Sequence, residues 1–241
     1  MSAGSAPSSS LWIDAIEARS NLTRSQFLIW MGQQLAPSSP LYNMVFAFAM
    51  RGPLEVERWC AAYARLCEQC EALRTVVTVE DGVPQQRVLD ASPVTLERID
   101  LRAGGEEACK QWIDTHARAP LMLGEALGES ALLRLGEHEH VWFLKLHHVI
   151  TDAWSTALLC ERLAALYDGQ VDVEPLPSYA DHLARERAAR EKAQAHHAAS
   201  YWQAQLSNPV EPLHFYASAH RAGNTSRTRR LTLPLGDART R

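Results

Sequence analysis

A helical repeat of apolar side chains between Leu54 and Leu73 constrains the fold of this chain more than any other feature. Apolar residues recur there every three or four positions, which is the spacing of one face of an α-helix. Short apolar segments of strand length lie on both sides, at 42–50 and 75–79. A helix with one apolar face must bury it against another layer, so the sequence predicts a helix packed on a sheet. The repeat consists of Val56, Trp59, Cys60, Tyr63, Leu66, Cys67, Cys70 and Leu73.

Helical and strand patterns alternate along the rest of the chain. The pair Asp81-Gly82 is a hairpin signal between two of the strand-like segments. The alternation predicts the α/β class, with a mixed sheet flanked by helices. We expect helices at 25–35, 54–73, 106–117, 153–167 and 179–206, the last with a candidate break near its middle, and strands at 42–50, 75–79, 86–89, 93–99, 131–135, 140–148 and 228–235.

The composition excludes several classes of protein. The 241 residues carry 24 Lys and Arg against 28 Asp and Glu, a net charge of −4, whereas a general nucleic-acid binder carries a basic surplus. No apolar run approaches the ~20 residues that span a bilayer. Met1–Ser10 has neither the basic start nor the apolar centre of a signal peptide, so residues 1–20 are predicted to be a flexible segment. The five cysteines are expected to be free thiols in a cytoplasmic protein.

Two adjacent histidines at the end of an apolar strand are the strongest candidates for chemistry. Strand side chains alternate between faces, so His147 and His148 are predicted to point in opposite directions. His148 would share its face with apolar residues, which favour a neutral imidazole that can accept a proton. His148 is therefore the candidate general base. Asp152 follows four residues later, where it could cap the next helix, occupy a turn, or pair with a cation that holds the loop in shape.

Several motifs resemble those of one enzyme family. The segment from His147 to Ser155 is similar to the HHxxxDGWS signature of condensation domains from nonribosomal peptide synthetases, which belong to the chloramphenicol-acetyltransferase-like superfamily. Four further segments resemble motifs of the same family in the same order, so the resemblance covers roughly residues 20–235. These segments are Leu22–Trp30, Glu71–Thr75, Ser178–His182 and Tyr201–Leu206.

The resemblance implies a chloramphenicol-acetyltransferase-like lobe that forms an amide bond. In this family the acyl donor and the amine acceptor arrive as thioesters on the phosphopantetheine arms of carrier proteins. His148 would be the catalytic residue, while His147 and Asp152 would be structural, with Arg74 as the matching candidate for the ion-pair partner of Asp152. No metal and no cofactor bound to the chain itself are expected. The partners would be acyl or peptidyl carrier proteins, and neither nucleic acid nor a membrane.

The chain departs from the family pattern at several points. Ala153 replaces the glycine of the signature, and Gln69 and Cys70 replace the first two residues of the RHExLRT motif. Family members are about twice as long, so residues 21–241 are predicted to be an N-terminal lobe whose second lobe is absent. The partners would then include adjacent synthetase domains or a separate C-terminal lobe.

Two alternative functions remain open at this point. The chain could be a truncated, non-catalytic condensation-like domain that binds or links its neighbours in an assembly line. A free-standing relative that acylates a small molecule from coenzyme A is a third interpretation, and the shortness of the chain counts against it.

Three other features have simpler interpretations. Cys67 and Cys70 fall on the apolar face of the predicted helix and are expected in the core rather than in a metal site. His138 and His140 flank a predicted turn and are expected to be solvated. A C-terminal group of arginines could dock an acidic carrier protein or be an ordinary basic tail. These arginines are Arg221, Arg227, Arg229, Arg230, Arg239 and Arg241.

Overall fold

The computed structural model describes residues 9–170, 176–190 and 192–207. Residues 1–192 form one unit and residues 193–241 another, of which the helix α7 is described. The predicted strand at 228–235 and the C-terminal arginines lie outside the described residues. The helices are α1 (Ser9–Arg19), α2 (Arg24–Leu35), α3 (Val56–Gln69), α4 (Gly105–Arg118), α5 (Ala153–Tyr167), α6 (Tyr179–Arg190) and α7 (Ala193–Gln205). The strands are β1 (Asn43–Arg51), β2 (Thr75–Glu80), β3 (Val83–Val88), β4 (Leu96–Asp100), β5 (Gly128–Arg134) and β6 (Glu139–His147).

A four-stranded sheet in the order β1-β6-β5-β4 lies at the centre of the first unit. Strand β6 pairs antiparallel with β1 and β5, while β4 pairs parallel with β5. The predicted α/β class, with a mixed sheet flanked by helices, is confirmed. Because β6 is a central strand, the residues that follow it emerge between the ends of two neighbours.

Helices cover both faces of this sheet. On one face α3 and α5 pack against the sheet, and Trp59 of α3 meets Trp142 of β6 edge to face at 5.6 Å between ring centroids. On the other face α4 packs through Cys109 and Trp112, whose ring lies 5.0 Å from that of Phe143. The helix predicted at 54–73 therefore buries its apolar face, although α3 ends at Gln69 and a short 3₁₀ turn follows.

A separate hairpin and a second core lie beneath the residues that follow β6. Strands β2 and β3 pair antiparallel around Asp81-Gly82, both with positive φ (48° and 75°), as the hairpin signal predicts. Phe27, Val77 and Val149 pack together in the second core. The side chain of Val149 thus anchors the turn after β6 to α2 and to the hairpin.

The N-terminal segment differs from its prediction. Residues 1–20 are predicted to be flexible, whereas Ser9–Arg19 forms the helix α1, and Ile13 and Ile16 pack against the second core. The first ten residues gave no sign of this helix, because the apolar side chains that anchor it come after Ser10. The candidate break in the predicted 179–206 helix is confirmed, since α6 and α7 are separate helices.

The five cysteines are free, and Cys67 and Cys70 are buried in the core as predicted. Burial raises the pKa of both thiols. No described helix is long and apolar enough to cross a membrane.

Candidate active site

The turn after β6 is fixed by backbone hydrogen bonds to the elements on either side. The amide of His147 donates to the carbonyl of Leu127 at 2.9 Å, and the amide of His148 donates to the carbonyl of Tyr42 at 2.8 Å. The amide of Ile150 closes the turn by donating to the carbonyl of His147 at 3.0 Å. The two histidines thus stand on a backbone that is held from both sides.

His147 is buried, with 1% of its surface exposed. Its Nδ1 accepts a hydrogen bond from the amide of Val149 at 3.0 Å, so the ring proton resides on Nε2. Burial, together with the neighbouring His148, lowers the pKa of His147 to about 4. At neutral pH His147 is therefore an uncharged acceptor that holds the backbone of the turn.

His148 is exposed, and its ring is also oriented through Nδ1, which here acts as a donor. Its Nδ1 lies 2.7 Å from the carbonyl oxygen of Thr151. A carbonyl can only accept, so Nδ1 carries the proton and Nε2 keeps its lone pair. Nε2 makes no hydrogen bond to a described residue, which leaves it available to a substrate.

The predicted surroundings of His148 are wrong for this chain. The sequence predicts that His148 shares an apolar face with Leu146, but β6 ends at His147, so the alternation of faces stops before His148. The buried histidine is His147, and its environment gives the neutral imidazole that the sequence pattern assigns to His148.

Asp152 caps the helix α5. Its Oδ1 accepts hydrogen bonds from the amide and the hydroxyl of Ser155, both at 2.7 Å, and these bonds lower the pKa of the carboxyl group. The predicted ion pair with Arg74 is absent, because Nη1 of Arg74 donates to the carbonyl of Leu89 at 2.5 Å. Of the three roles open to Asp152 in the sequence, the structure shows the helix cap.

The two departures from the family pattern are accommodated locally. Ala153 is the first residue of α5 and its φ is not positive, so the position does not require glycine. Gln69, at the end of α3, accepts a hydrogen bond from Nε of Arg162 at 3.0 Å. That bond joins α3 to α5, the helix that Asp152 caps.

Gln26 supports the turn and is a site residue that sequence reasoning missed. Its Nε2 donates to the carbonyl of Val149 at 2.9 Å and to Oε1 of Gln86 at 3.1 Å, while its Oε1 accepts from the amide of Thr23 at 2.9 Å. Thr23 followed by Gln26 is a capping-box pattern, which the sequence does display. The contact with Val149 joins residues 123 positions apart and has no local signal.

A cleft of about 680 Å³ opens beside His148. The turn forms one wall, while Ile29 of α2 and Tyr179 of α6 line the others. A smaller and mostly apolar cavity of about 190 Å³ adjoins it through Ile150 and Tyr179. The arrangement presents an imidazole with a free Nε2 to a cleft large enough for a flexible organic group. Among residues 9–170, 176–190 and 192–207, no three His, Cys, Asp or Glu side chains converge as a metal site.

The family model for the condensation domain matches residues 16–240. The chain belongs to the condensation-domain family. The resemblance drawn from the signature and its accompanying motifs is therefore confirmed.

Relatives of this condensation domain include large synthetases. Nonribosomal peptide synthetase kk1B of Curvularia clavata is 33% identical over 195 residues, which are 77% of this chain and 2% of that synthetase. Cyclosporin synthetase simA of Tolypocladium inflatum is 34% identical over 194 residues, which are 78% of this chain and 1% of that synthetase.

Solved condensation domains share the fold. The first condensation domain of the calcium-dependent antibiotic synthetase, in complex with a substrate analogue, is 29% identical with a TM-score of 0.71, covering 80% of this chain and 48% of that one. The starter condensation domain of rhizomide synthetase is 26% identical with a TM-score of 0.72, covering 79% and 46%. The chain thus spans about half the length of the solved condensation domains that it matches.

Proposed function

We propose that this chain is the N-terminal lobe of a nonribosomal peptide synthetase condensation domain and that it forms an amide bond between two carrier-tethered substrates. One observation carries the proposal. Nδ1 of His148 donates a hydrogen bond to the carbonyl of Thr151, so Nε2 keeps its lone pair and is free beside the cleft. The match over residues 16–240 supports the reaction class.

The reaction follows from this arrangement. The amine nitrogen of the acceptor attacks the carbonyl carbon of the donor thioester, and Nε2 of His148 removes the proton that the nitrogen sheds. The C–S bond then breaks, and the leaving thiolate of the donor arm takes that proton from the His148 imidazolium, which regenerates the neutral imidazole. Holding both tethered substrates in the cleft lowers the barrier by up to ~7–11 kcal/mol in well-oriented systems.

The other site residues act on the backbone rather than on the substrate. His147 holds the amide of Val149, and Asp152 fixes the start of α5 through Ser155. Arg74 fixes the end of the β2–β3 hairpin, since its side chain and its carbonyl both bond the backbone of Leu89. We assign all three as positioning residues.

The proposed partners are acyl or peptidyl carrier proteins, adjacent synthetase domains and a C-terminal lobe. The phosphopantetheine arm belongs to the carriers, and the chain itself would bind no cofactor. The free cysteines support a reducing compartment, and we propose the cytoplasm.

The test is amide formation in single turnover with the chain joined to the second lobe of a condensation domain. The donor and the acceptor are loaded on carrier proteins. The His148→Ala variant is expected to lose a factor of about 10²–10⁴ in rate, which is the usual contribution of a general base. His138→Ala is the matched control, because His138 is an exposed histidine in a turn at the other end of β6.

An unchanged rate for His148→Ala would contradict the assigned role. If the wild-type protein binds loaded carriers but forms no amide in this assay, the non-catalytic linker function replaces the one proposed here.

A further inference from the structure

A second cavity, of about 270 Å³, lies at the amino end of β6. His140 lines it and precedes His148 by eight residues, so the two histidines are roughly 26 Å apart along the strand. This separation makes the cavity independent of the cleft beside His148. Its lining includes Val56, Arg98, Asp100, Leu132, Arg134 and His140.

His140 is a buried polar side chain that lacks partners. The sequence predicts a solvated residue, and that prediction is wrong, since 4% of its surface is exposed. Neither ring nitrogen has a hydrogen-bond partner among the described residues. Trp142, two residues along β6, packs against α3, so the side chain of His140 lies on the same face as the cavity. Buried polar groups are normally satisfied by protein groups or ordered water, so the unpartnered imidazole is a candidate contact for a ligand.

Arg134 lies beside His140 on the neighbouring strand β5, and several N–H groups of its guanidinium have no hydrogen-bond partner among the described residues. The two residues are directly paired in the antiparallel register of β5 and β6. The hydrogen bond of the Arg134 side chain runs from Nε to the carbonyl of Gly136 at 3.3 Å, and its two terminal amino groups have no described partner. Four N–H donors of Arg134 are thus available for a hydrogen bond beside the imidazole of His140, which also lacks a described partner.

Two arginines, Arg98 and Arg134, line the cavity together with one carboxylate, Asp100. Asp100 is neutralised by Arg102 at 2.6 Å, which lowers the pKa of that carboxyl to about 2. Arg98 pairs with Glu57 at 3.0 Å, but both side chains are more than half exposed, so the pair is weak and can rearrange. Burial and the charge of Arg134 lower the pKa of His140, because both disfavour the protonated imidazole. An anion in this cavity would stabilise that protonated form.

The amino end of α3 adds further donors. Val56, which lines the cavity, is the first residue of α3, and the preceding Glu55 makes no side-chain capping bond. The first amides of a helix without a side-chain cap can bind an anion, although the carboxylates of Glu55 and Glu57 lie in the same turn.

We propose that this cavity binds a phosphate group, either as inorganic phosphate or as a phosphate monoester. A tetrahedral dianion offers acceptors to Arg134, Arg98 and His140 at once and neutralises two of the three positive charges that these side chains carry when the imidazole is protonated. A carboxylate has two oxygens and one charge, so it leaves part of this donor set unused.

The test is an NMR titration of the histidine rings in the 241-residue chain. Inorganic phosphate and methyl phosphate are added separately at constant ionic strength, and acetate serves as the comparison anion. The His140 ring is expected to shift saturably with both phosphates, and its pKa to rise by about one unit or more in the bound state. The phosphate with the lower Kd identifies the natural source. Acetate is expected to bind at least tenfold more weakly.

Variants separate a built site from general attraction to positive charge. Arg134→Ala and Arg98→Ala are each expected to weaken phosphate binding at least tenfold, and Arg98 is exposed enough for its variant to fold. Arg87→Ala removes the same charge from an exposed position on strand β3 and is expected to leave the Kd unchanged.

Three results would overturn the proposal. The first is the absence of a saturable His140 shift in the wild-type chain. The second is acetate binding as tight as phosphate binding, and the third is an equal loss of affinity in Arg87→Ala. None of these bears on amide formation, which is assayed separately.

Discussion

The two ends of strand β6 carry buried histidines that differ in how many of their ring nitrogens are hydrogen-bonded. At the carboxyl end Nδ1 of His147 accepts from Val149 while its buried Nε2 has no described partner, and His148 donates to Thr151. At the amino end both nitrogens of His140 are buried without described partners. A buried imidazole that has a hydrogen-bond partner holds the backbone in place. A buried imidazole without partners lowers the stability of the fold, and a bound ligand or an apolar substitution can remove that penalty. Substitutions of the histidines at the two ends should therefore change the free energy of unfolding by different amounts or in opposite directions.

The largest expected effect on stability is a loss on acidification caused by His147. Its folded-state pKa is about 4, against about 6.5 when unfolded, so the unfolded chain binds the proton more readily. The contribution is intact above pH 6.5 and is lost as the pH falls toward 4, by up to about 3 kcal/mol in the free energy of unfolding. Urea denaturation between pH 4 and 8 measures this slope.

The His147→Gln variant isolates this contribution, since His140 also has a lowered pKa and adds a slope of the same sign. The variant should be less stable than wild type at pH 8, with a flatter pH profile. A slope as steep as that of the wild type would contradict the burial of an uncharged His147.

The next largest effect is expected from Gln26→Ala. The substitution leaves the carbonyl of Val149 and the amide of Thr23 without their side-chain partner, at a cost of about 2 kcal/mol. Gln34→Ala on the exposed side of the same helix is the matched control and should change stability by less than about 0.5 kcal/mol. Equal losses in the two variants would mean that Gln26 does not hold the turn.

Removal of the helix cap should have a smaller effect. Asp152→Ala is expected to destabilise the chain by about 1 kcal/mol, while Asp152→Ser should keep most of the stability, because serine also caps helices. A double-mutant cycle with Arg74→Ala should give a coupling energy near zero, since Arg74 bonds Leu89 instead. A coupling above about 1 kcal/mol would restore the ion pair that the sequence predicts.

The smallest effect is expected at the amino end of β6. His140→Phe keeps an aromatic ring and removes two unsatisfied polar atoms, so stability should change by less than about 1 kcal/mol or increase. The corresponding His147→Phe variant loses the bond to Val149 and should cost more. Equal costs at both positions would remove the distinction between the two ends.

The sequence predicted the sheet class, the β2–β3 hairpin and the position of the turn, because periodicity and turn residues are local signals. It predicted the wrong surroundings for His148, since the register that ends β6 at His147 depends on pairing with Asn43 of a distant strand. The same limit applies to the Arg74 bond with Leu89 and to the buried state of His140, which are set by packing between elements.

The most direct test of the account is the tautomeric state of the two adjacent histidines. A long-range ¹H–¹⁵N correlation spectrum at pH 8.5, where imidazoles are neutral, reports which ring nitrogen carries the proton. We predict protonated Nδ1 and bare Nε2 for His148, and the reverse for His147. A His148 protonated mainly on Nε2 would contradict its assignment as the base that faces the substrate.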